Sequence, residues 1–212
     1  MASRTRARNA ARLAPALAAA LALGSGAAWA GELRGRLEPG LPGVRLADVG
    51  PIVVYLELPS GAAPAAAAPP PVALRQRDAA FSPRFLAVAR AQTVAMPNDD
   101  SIYHNVFSFS APNDFDLGLY PAGESRSIAF RHPGVVRLYC SIHESMNGTI
   151  FVAPTPWFAV TDAQGRFAIQ GIPPGRWRLR TWTEKLPGLS RTLEIGAGTT
   201  QLELSLAEAA GR

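Results

Sequence analysis

This 212-residue chain holds one cysteine, three histidines and three methionines. A single cysteine excludes an internal disulfide. It leaves an intermolecular bridge, a free thiol or a metal ligand. A thiol left free outside the cytoplasm tends to oxidise, and holding it as a metal thiolate avoids that outcome. Three histidines are too few to build several metal centres. Beyond residue 30 no run is long and apolar enough to span a bilayer, so the exported chain is expected to be soluble. Convincing helical periodicity is also lacking beyond that point.

An excess of one charge is missing too, once the N-terminus is set aside. Arg4, Arg6, Arg8 and Arg12 make a basic start, Leu13 to Leu23 is an Ala/Leu run, and Ala28-Trp29-Ala30 ends in a small-x-small pattern. This is the pattern of a secretory signal peptide over 1–30, cut after Ala30, and it implies a periplasmic or secreted protein. Of the 21 basic and 16 acidic residues, the signal takes four arginines and no acid, leaving 17 against 16. A nucleic-acid partner, which would want a basic patch, is therefore not expected.

What is present is β pattern. Gly31 to Leu37 alternates loosely, and Pro51 to Leu58 is a β-branched apolar run that reads as a buried strand. Pro59 to Pro71 is an Ala/Pro-rich stretch that cannot build a core. We read it as a loop inserted within a first domain spanning 31–153, because residues 31–58 alone are too few to bury a stable core. Strands are expected over Arg84–Arg90, Thr93–Met96, Ile102–Phe109, Ser127–Phe130, Val135–Cys140 and Gly148–Val152, with Pro97 to Asp100 as a turn cluster. After Pro154-Thr155-Pro156 a second β module is expected over 154–207, followed by a tail over 208–212. In this module Asp162 to Gly165 reads as a hairpin turn, and Arg176 to Arg180 alternates with Trp177 and Leu179 inward. The fold class is all-β: many short strands with regular turns argue for sandwiches or barrels.

The chemistry concentrates in Cys140-x2-His143-x2-Met146. A spacing of three, twice over, breaks the strand period of two and turns the chain back, so a thiolate, an imidazole and a thioether can converge. Copper uses that set when a second histidine completes a trigonal His2Cys arrangement with a weak axial Met. His104 can supply it from the Ile102–Phe109 strand, and Asn105 beside it can hydrogen-bond across to the ligand loop. The bland alternative is a small core cysteine with an incidental His and Met. His132, in a Pro-Gly turn, reads as a surface residue. Met96 reads as core, and Tyr139 should face away from a metal.

Taken with Phe81-Ser82-Pro83, Pro97-Asn98-Asp99, Phe115-Asp116-Leu117-Gly118, Pro133-Gly134 and Gly148, these residues resemble the blue copper, or cupredoxin, family. The short ligand loop is similar to that of amicyanin. The larger arrangement resembles plastocyanin-like proteins of methylamine-utilisation clusters. The segment 154–207 resembles transthyretin-like or carboxypeptidase regulatory-like modules through Val160-Thr161-Asp162, Gly165-Arg166-Phe167 and Ile172-Pro173-Pro174-Gly175. The resemblance implies a Greek-key β-sandwich and one type 1 copper held by His104, Cys140, His143 and Met146. It also implies single-electron transfer rather than enzymatic turnover, with a redox partner docking near His143; Glu144, the one charge in the ligand loop, is placed to influence its choice. Multicopper oxidases and copper nitrite reductases place a histidine beside the copper cysteine, whereas here its neighbours are Tyr139 and Ser141. The competing reading is copper handling without an electron-shuttle role: a carrier, buffer or sensor. A third is a structural or adhesion role carried by the C-terminal module, with Trp157, Trp177 and Trp182 as a surface.

Overall fold

The computed structural model describes residues 30–60 and 69–210, so the expected signal peptide and most of the Ala/Pro-rich stretch lie outside the described residues. The chain opens with β1 (Gly31–Glu38), a single helical turn α1 (Leu46–Val49) and β2 (Val53–Glu57). There follow β3 (Val72–Ala73), β4 (Arg75–Arg77), β5 (Ala80–Ser82), β6 (Phe85–Ala89), β7 (Thr93–Pro97), β8 (His104–Ser108), β9 (Phe115–Tyr120), β10 (Ser125–Ala129), β11 (Gly134–Tyr139) and β12 (Asn147–Ala153). The last strands are β13 (Phe158–Val160), β14 (Arg166–Ile172), β15 (Gly175–Trp182), β16 (Ser190–Ile195) and β17 (Gly198–Ser205), before a final turn of helix α2 (Ala207–Ala210). The architecture is all-β, and among the described residues no helix is long and apolar enough to cross a membrane.

Strand pairing divides the chain differently from the sequence expectation of a first domain over 31–153. Strand β1 pairs antiparallel with β14 and parallel with β17, while β2 lies between β13 and β15. Their inward residues Leu33, Leu37, Val54 and Leu56 share one core with Phe167, Ile169, Trp177, Leu179 and Leu204. Residues 31–58 thus complete the C-terminal module. Strands β3 to β12 form an insertion between β2 and β13. The physical reason lies in burial. The strands after residue 157 form two incomplete sheets, and β1 and β2 fill the middle of each.

Gly35 in β1 shows how close that fit is. A Cβ there would meet the Leu202 carbonyl oxygen at 2.4 Å and the Phe167 ring at 2.7 Å. The Asp162–Gly165 turn also differs from a hairpin. Its flanking strands β13 and β14 belong to different sheets, so the turn carries the chain across the sandwich. Asp162 Oδ1 accepts from the backbone N–H of Gln164 and Arg166 at 2.9 and 2.8 Å, which closes the turn.

The inserted unit is a second sandwich, with sheet order β6-β12-β11-β8-β9 facing β10-β7-β3. Its core is Leu74, Phe81, Val88, Val94, Met96, Val106, Tyr120, Phe130, Val136, Leu138 and Ile150, and it includes Cys140 and Met146. The two sandwiches meet along a third apolar cluster of Val53, Phe151 and Ala153, flanked by Tyr55, Phe85 and Trp182. This seam explains why β2 and β12 are apolar on both faces. Val54 and Ile150 each face their own core, and Val53 and Phe151 face the neighbouring unit.

Candidate metal centre

Two strands and one loop assemble the site. In β8 the period of two sends His104 and Val106 into the core of the inserted unit, and His104 is fully buried. Antiparallel β11 ends at Tyr139, so Cys140 falls just beyond the sheet with its thiol inward, 5% exposed. The loop then folds back on itself. The Met146 N–H donates to the His143 carbonyl at 2.9 Å, and the Cys140 N–H donates to the Met146 carbonyl at 3.2 Å. These closures bring the loop from one side of the site to the other in the short span from Cys140 to Met146.

The structure brings His104, Cys140 and His143 together, with one ligand atom from each lying within 4.8 Å of the others. Cys140 Sγ is 3.7 Å from His104 Nδ1, and the two imidazole centroids are 4.9 Å apart with their planes tilted by 58°. Met146, 1% exposed, packs in the same core as Cys140. His132 is exposed and lies outside this cluster, and Met96 is fully buried in the core.

Two polar devices hold the segments in place. Asn105 Oδ1 accepts from the Ser141 N–H at 2.7 Å and from the Ser141 hydroxyl at 2.9 Å, tying β8 to the loop. On the far side of the first imidazole, His104 Nε2 lies 2.7 Å from Asp100 Oδ2. Sequence reasoning missed this aspartate, reading it only as part of a turn. The available signal was a carboxylate four positions before a candidate ligand histidine. Burial pushes the Asp100 carboxyl up, but hydrogen bonds from Ala79, His104 and Asp78 outweigh it and hold the group below its ordinary value. Tyr120 was also missed. It is fully buried, donates to the Met96 carbonyl at 2.8 Å, and burial pushes its phenol up to about 12.

The donors themselves test which metal fits. The clustered atoms are one thiol sulfur and two imidazoles, with a thioether in the same core and no carboxylate among them. Hard cations such as Mg2+ and Ca2+ want oxygen, whereas this set suits copper. His143 Nδ1 is buried and has no hydrogen-bond partner among the described residues. A buried polar atom left unpaired costs about 1–3 kcal/mol, and coordination to a metal removes that cost. The donor set fits one copper ion.

The residues flanking the two histidines include exposed apolar ones, beside the exposed polar Ser141, Glu144 and Ser145. Ile102, Tyr103 and Ile142, each next to or near a histidine of the cluster, are about half exposed, and His143 itself is only partly covered. Farther along the sheet, Phe109 is 81% exposed and stacks edge-on against Phe107, which in turn meets Tyr139.

No protein-family model matches this chain, and neither does any curated protein. Among solved structures the chain is similar to a purple cupredoxin from Nitrosopumilus maritimus, with 24% identity, 39% of this chain and 99% of that one covered, and a TM-score of 0.36. It is also similar to a copper-containing nitrite reductase from Thermus scotoductus, at 28% identity and a TM-score of 0.38. That match covers 41% of this chain and 23% of the reductase, so the chain spans less than a quarter of that enzyme. A reduced amicyanin mutant aligns at 21% identity over 46% of this chain and 98% of its own, with a TM-score of 0.37.

Proposed function

We propose that this chain is a type 1 copper protein, exported to the periplasm or secreted, that carries single electrons between redox partners. The observation that carries the reading is the convergence of His104, Cys140 and His143 within 4.8 Å in a buried pocket that also holds Met146. In this reading His104 and His143 bind as neutral imidazoles through nitrogen, Cys140 as a thiolate, and Met146 as the weak axial donor. Bound copper supplies a one-electron couple.

The protein's own contribution is rigidity and exclusion. His104, Cys140 and Met146 are almost wholly covered, which shields three of the four donors from solvent. The Asn105–Ser141 bonds and the two backbone closures keep the loop in one geometry, so a change of charge meets little rearrangement. His143 is the least covered of the four, and the exposed Ile102, Tyr103 and Ile142 beside the two histidines suit brief contact with another protein.

The test is the visible spectrum and EPR of residues 31–212 with one equivalent of Cu(II), alongside Cys140→Ser. An intense thiolate-to-copper band with narrow copper hyperfine splitting, both lost in the variant, is the expected result. A colourless protein with ordinary tetragonal copper would sink the reading.

A further inference from the structure

The polar group with the most specific geometry outside the ligand set is Asp100. Its carboxylate sits 2.7 Å from His104 Nε2, the nitrogen that faces away from Cys140. The same carboxylate is held from the other side by backbone donors. Oδ1 accepts from the Asp78 N–H at 2.6 Å, and Oδ2 accepts from the Ala79 N–H at 3.0 Å. Those two residues are the turn of the β4–β5 hairpin, and both lie in the left-handed region, at φ 54° and 52°. That region is unfavourable for alanine, a cost that hydrogen bonds to a charged acceptor offset. The Asp100 N–H donates to Asn98 Oδ1 at 3.1 Å, while Asn98 Nδ2 donates to the Ile102 carbonyl at 2.8 Å, so the backbone around Asp100 is fixed as well.

A carboxylate can only accept. An imidazole nitrogen 2.7 Å from it therefore carries a proton, and in the neutral ring that a metal ligand must be, the other nitrogen then holds the lone pair. That other nitrogen is Nδ1, 3.7 Å from Cys140 Sγ. We propose that Asp100 is a positioning residue of the metal centre. It fixes His104 as the Nε2–H tautomer, presents Nδ1 to the metal before any metal arrives, and by adding negative charge to the ligand favours oxidised over reduced copper. This rests on the copper reading only for its last part. The tautomer is a property of the metal-free protein. The hairpin turn Asp78–Ala79 becomes an outer clamp on a ligand that it never touches.

The experiment has two arms. In the first, 15N-edited NMR of the metal-free wild type reads the His104 tautomer directly. An Nε2–H resonance protected from exchange is expected, and an Nδ1–H tautomer would overturn the proposal whether or not any variant folds. In the second, Asp100→Asn and Asp100→Glu are compared with wild type for Cu(II) and Cu(I) affinity and for reduction potential. Loss of an outer partner of a metal-bound histidine costs about 10–100-fold in affinity. We expect Asp100→Asn to weaken Cu(II) binding at least about tenfold more than Cu(I) binding, a rise in potential of about 59 mV per tenfold for one electron. Asp100→Glu, which keeps the charge, should retain part of the wild-type preference. Unchanged potential and an unchanged affinity ratio in Asp100→Asn would overturn the charge effect. Should the wild type show no thiolate-to-copper band, the electron-transfer reading fails, and the NMR arm still decides the tautomer.

Discussion

Trp182 of β15 stacks on Phe151 of β12 with ring centroids 5.0 Å apart, and lies nearly parallel to Phe85 of β6 at 5.7 Å. One indole from the outer sandwich thus bridges two strands of the inserted one. Replacing it with alanine should destabilise the protein by about 2–4 kcal/mol, somewhat below a fully buried tryptophan because Trp182 is partly exposed. Urea denaturation followed separately by fluorescence and by the copper band should then show two transitions where the wild type shows one. A single unshifted transition would mean the seam does not couple the units. By contrast, the Arg137–Glu184 ion pair across the same seam, 2.6 Å long with both side chains well exposed, should contribute under about 1 kcal/mol in a double-mutant cycle.

Asn105→Ala removes both acceptor contacts to Ser141. We expect a loss of about 1–3 kcal/mol in unfolding free energy. Faster release of copper to a chelator should accompany it, since the loop carrying Cys140, His143 and Met146 then loses its side-chain hydrogen bonds from Asn105 of β8. Stopped-flow chelation against wild type is the check. Equal release rates would assign the loop's rigidity to its own backbone closures.

Met146→Leu separates the axial donor from the trigonal set. The thiolate-to-copper band should survive in intensity, because Cys140 and both imidazoles remain, while the reduction potential rises as Cu(II) loses a weak donor. Loss of the band altogether would place Met146 among the essential donors and contradict an axial role.

The discontinuous outer sandwich predicts how fragments behave. A chain that stops at Ala153 leaves β1 and β2 without β13 to β17, and limited proteolysis should remove residues 31–58 from it rapidly. A fragment of residues 69–154 should keep the copper band. If residues 31–153 resist protease as one body, the pairing of β1 with β14 and β17 is not what stabilises them.

Acid sensitivity should localise in part to Glu32. Its carboxyl is lowered to about 2 by hydrogen bonds from Arg34 and Gln170, with a smaller one from Thr199 and with burial opposing. A folded value below the ordinary 4.5 means the carboxylate stabilises the fold above that pH. The contribution then fades as pH falls from about 4.5 towards 2. The group is open to solvent, so the effect is small. Glu32→Gln should therefore lower the urea midpoint slightly at about pH 6 and leave it unchanged near pH 2. A gap that widens on acidification would reverse the assignment.

Much of this was readable from the residues in order. The period of two in Ile102–Phe109 puts His104 and Val106 on one face, which in the structure is the buried one, and the broken period after Cys140 signals a returning loop. Trp177 and Leu179 face the core as their alternation with arginine requires. What could not be read was partnership. A strand's sequence states which faces are apolar but not which edge it joins, so Val53-Val54-Tyr55-Leu56 announced burial on both sides without naming the two sandwiches that provide it. Asp100 was hidden for a related reason. In a Pro-Asn-Asp-Asp run the turn chemistry explains every residue, and only the fold shows that one of these carboxylates reaches a histidine.

The nesting of one sandwich inside another also orders the chain in time. Strands β1 and β2 are made before the inserted unit, yet Leu33 pairs with Thr200 and Val54 with Thr181, residues made after it. Until then their inward residues Leu33, Leu37, Val54 and Leu56 and their strand edges are without native partners. The inserted unit shortens that wait. Once folded, it gathers its two ends, with Thr155 Oγ1 donating to the Leu56 carbonyl at 2.5 Å and the Leu56 N–H to the Trp157 carbonyl at 2.9 Å. A search across roughly a hundred flexible residues thereby becomes a short loop closure. Folding of the metal-binding unit then acts as the nucleus for the sandwich around it, and a lesion near the metal centre should show first as slow maturation of strands far from it.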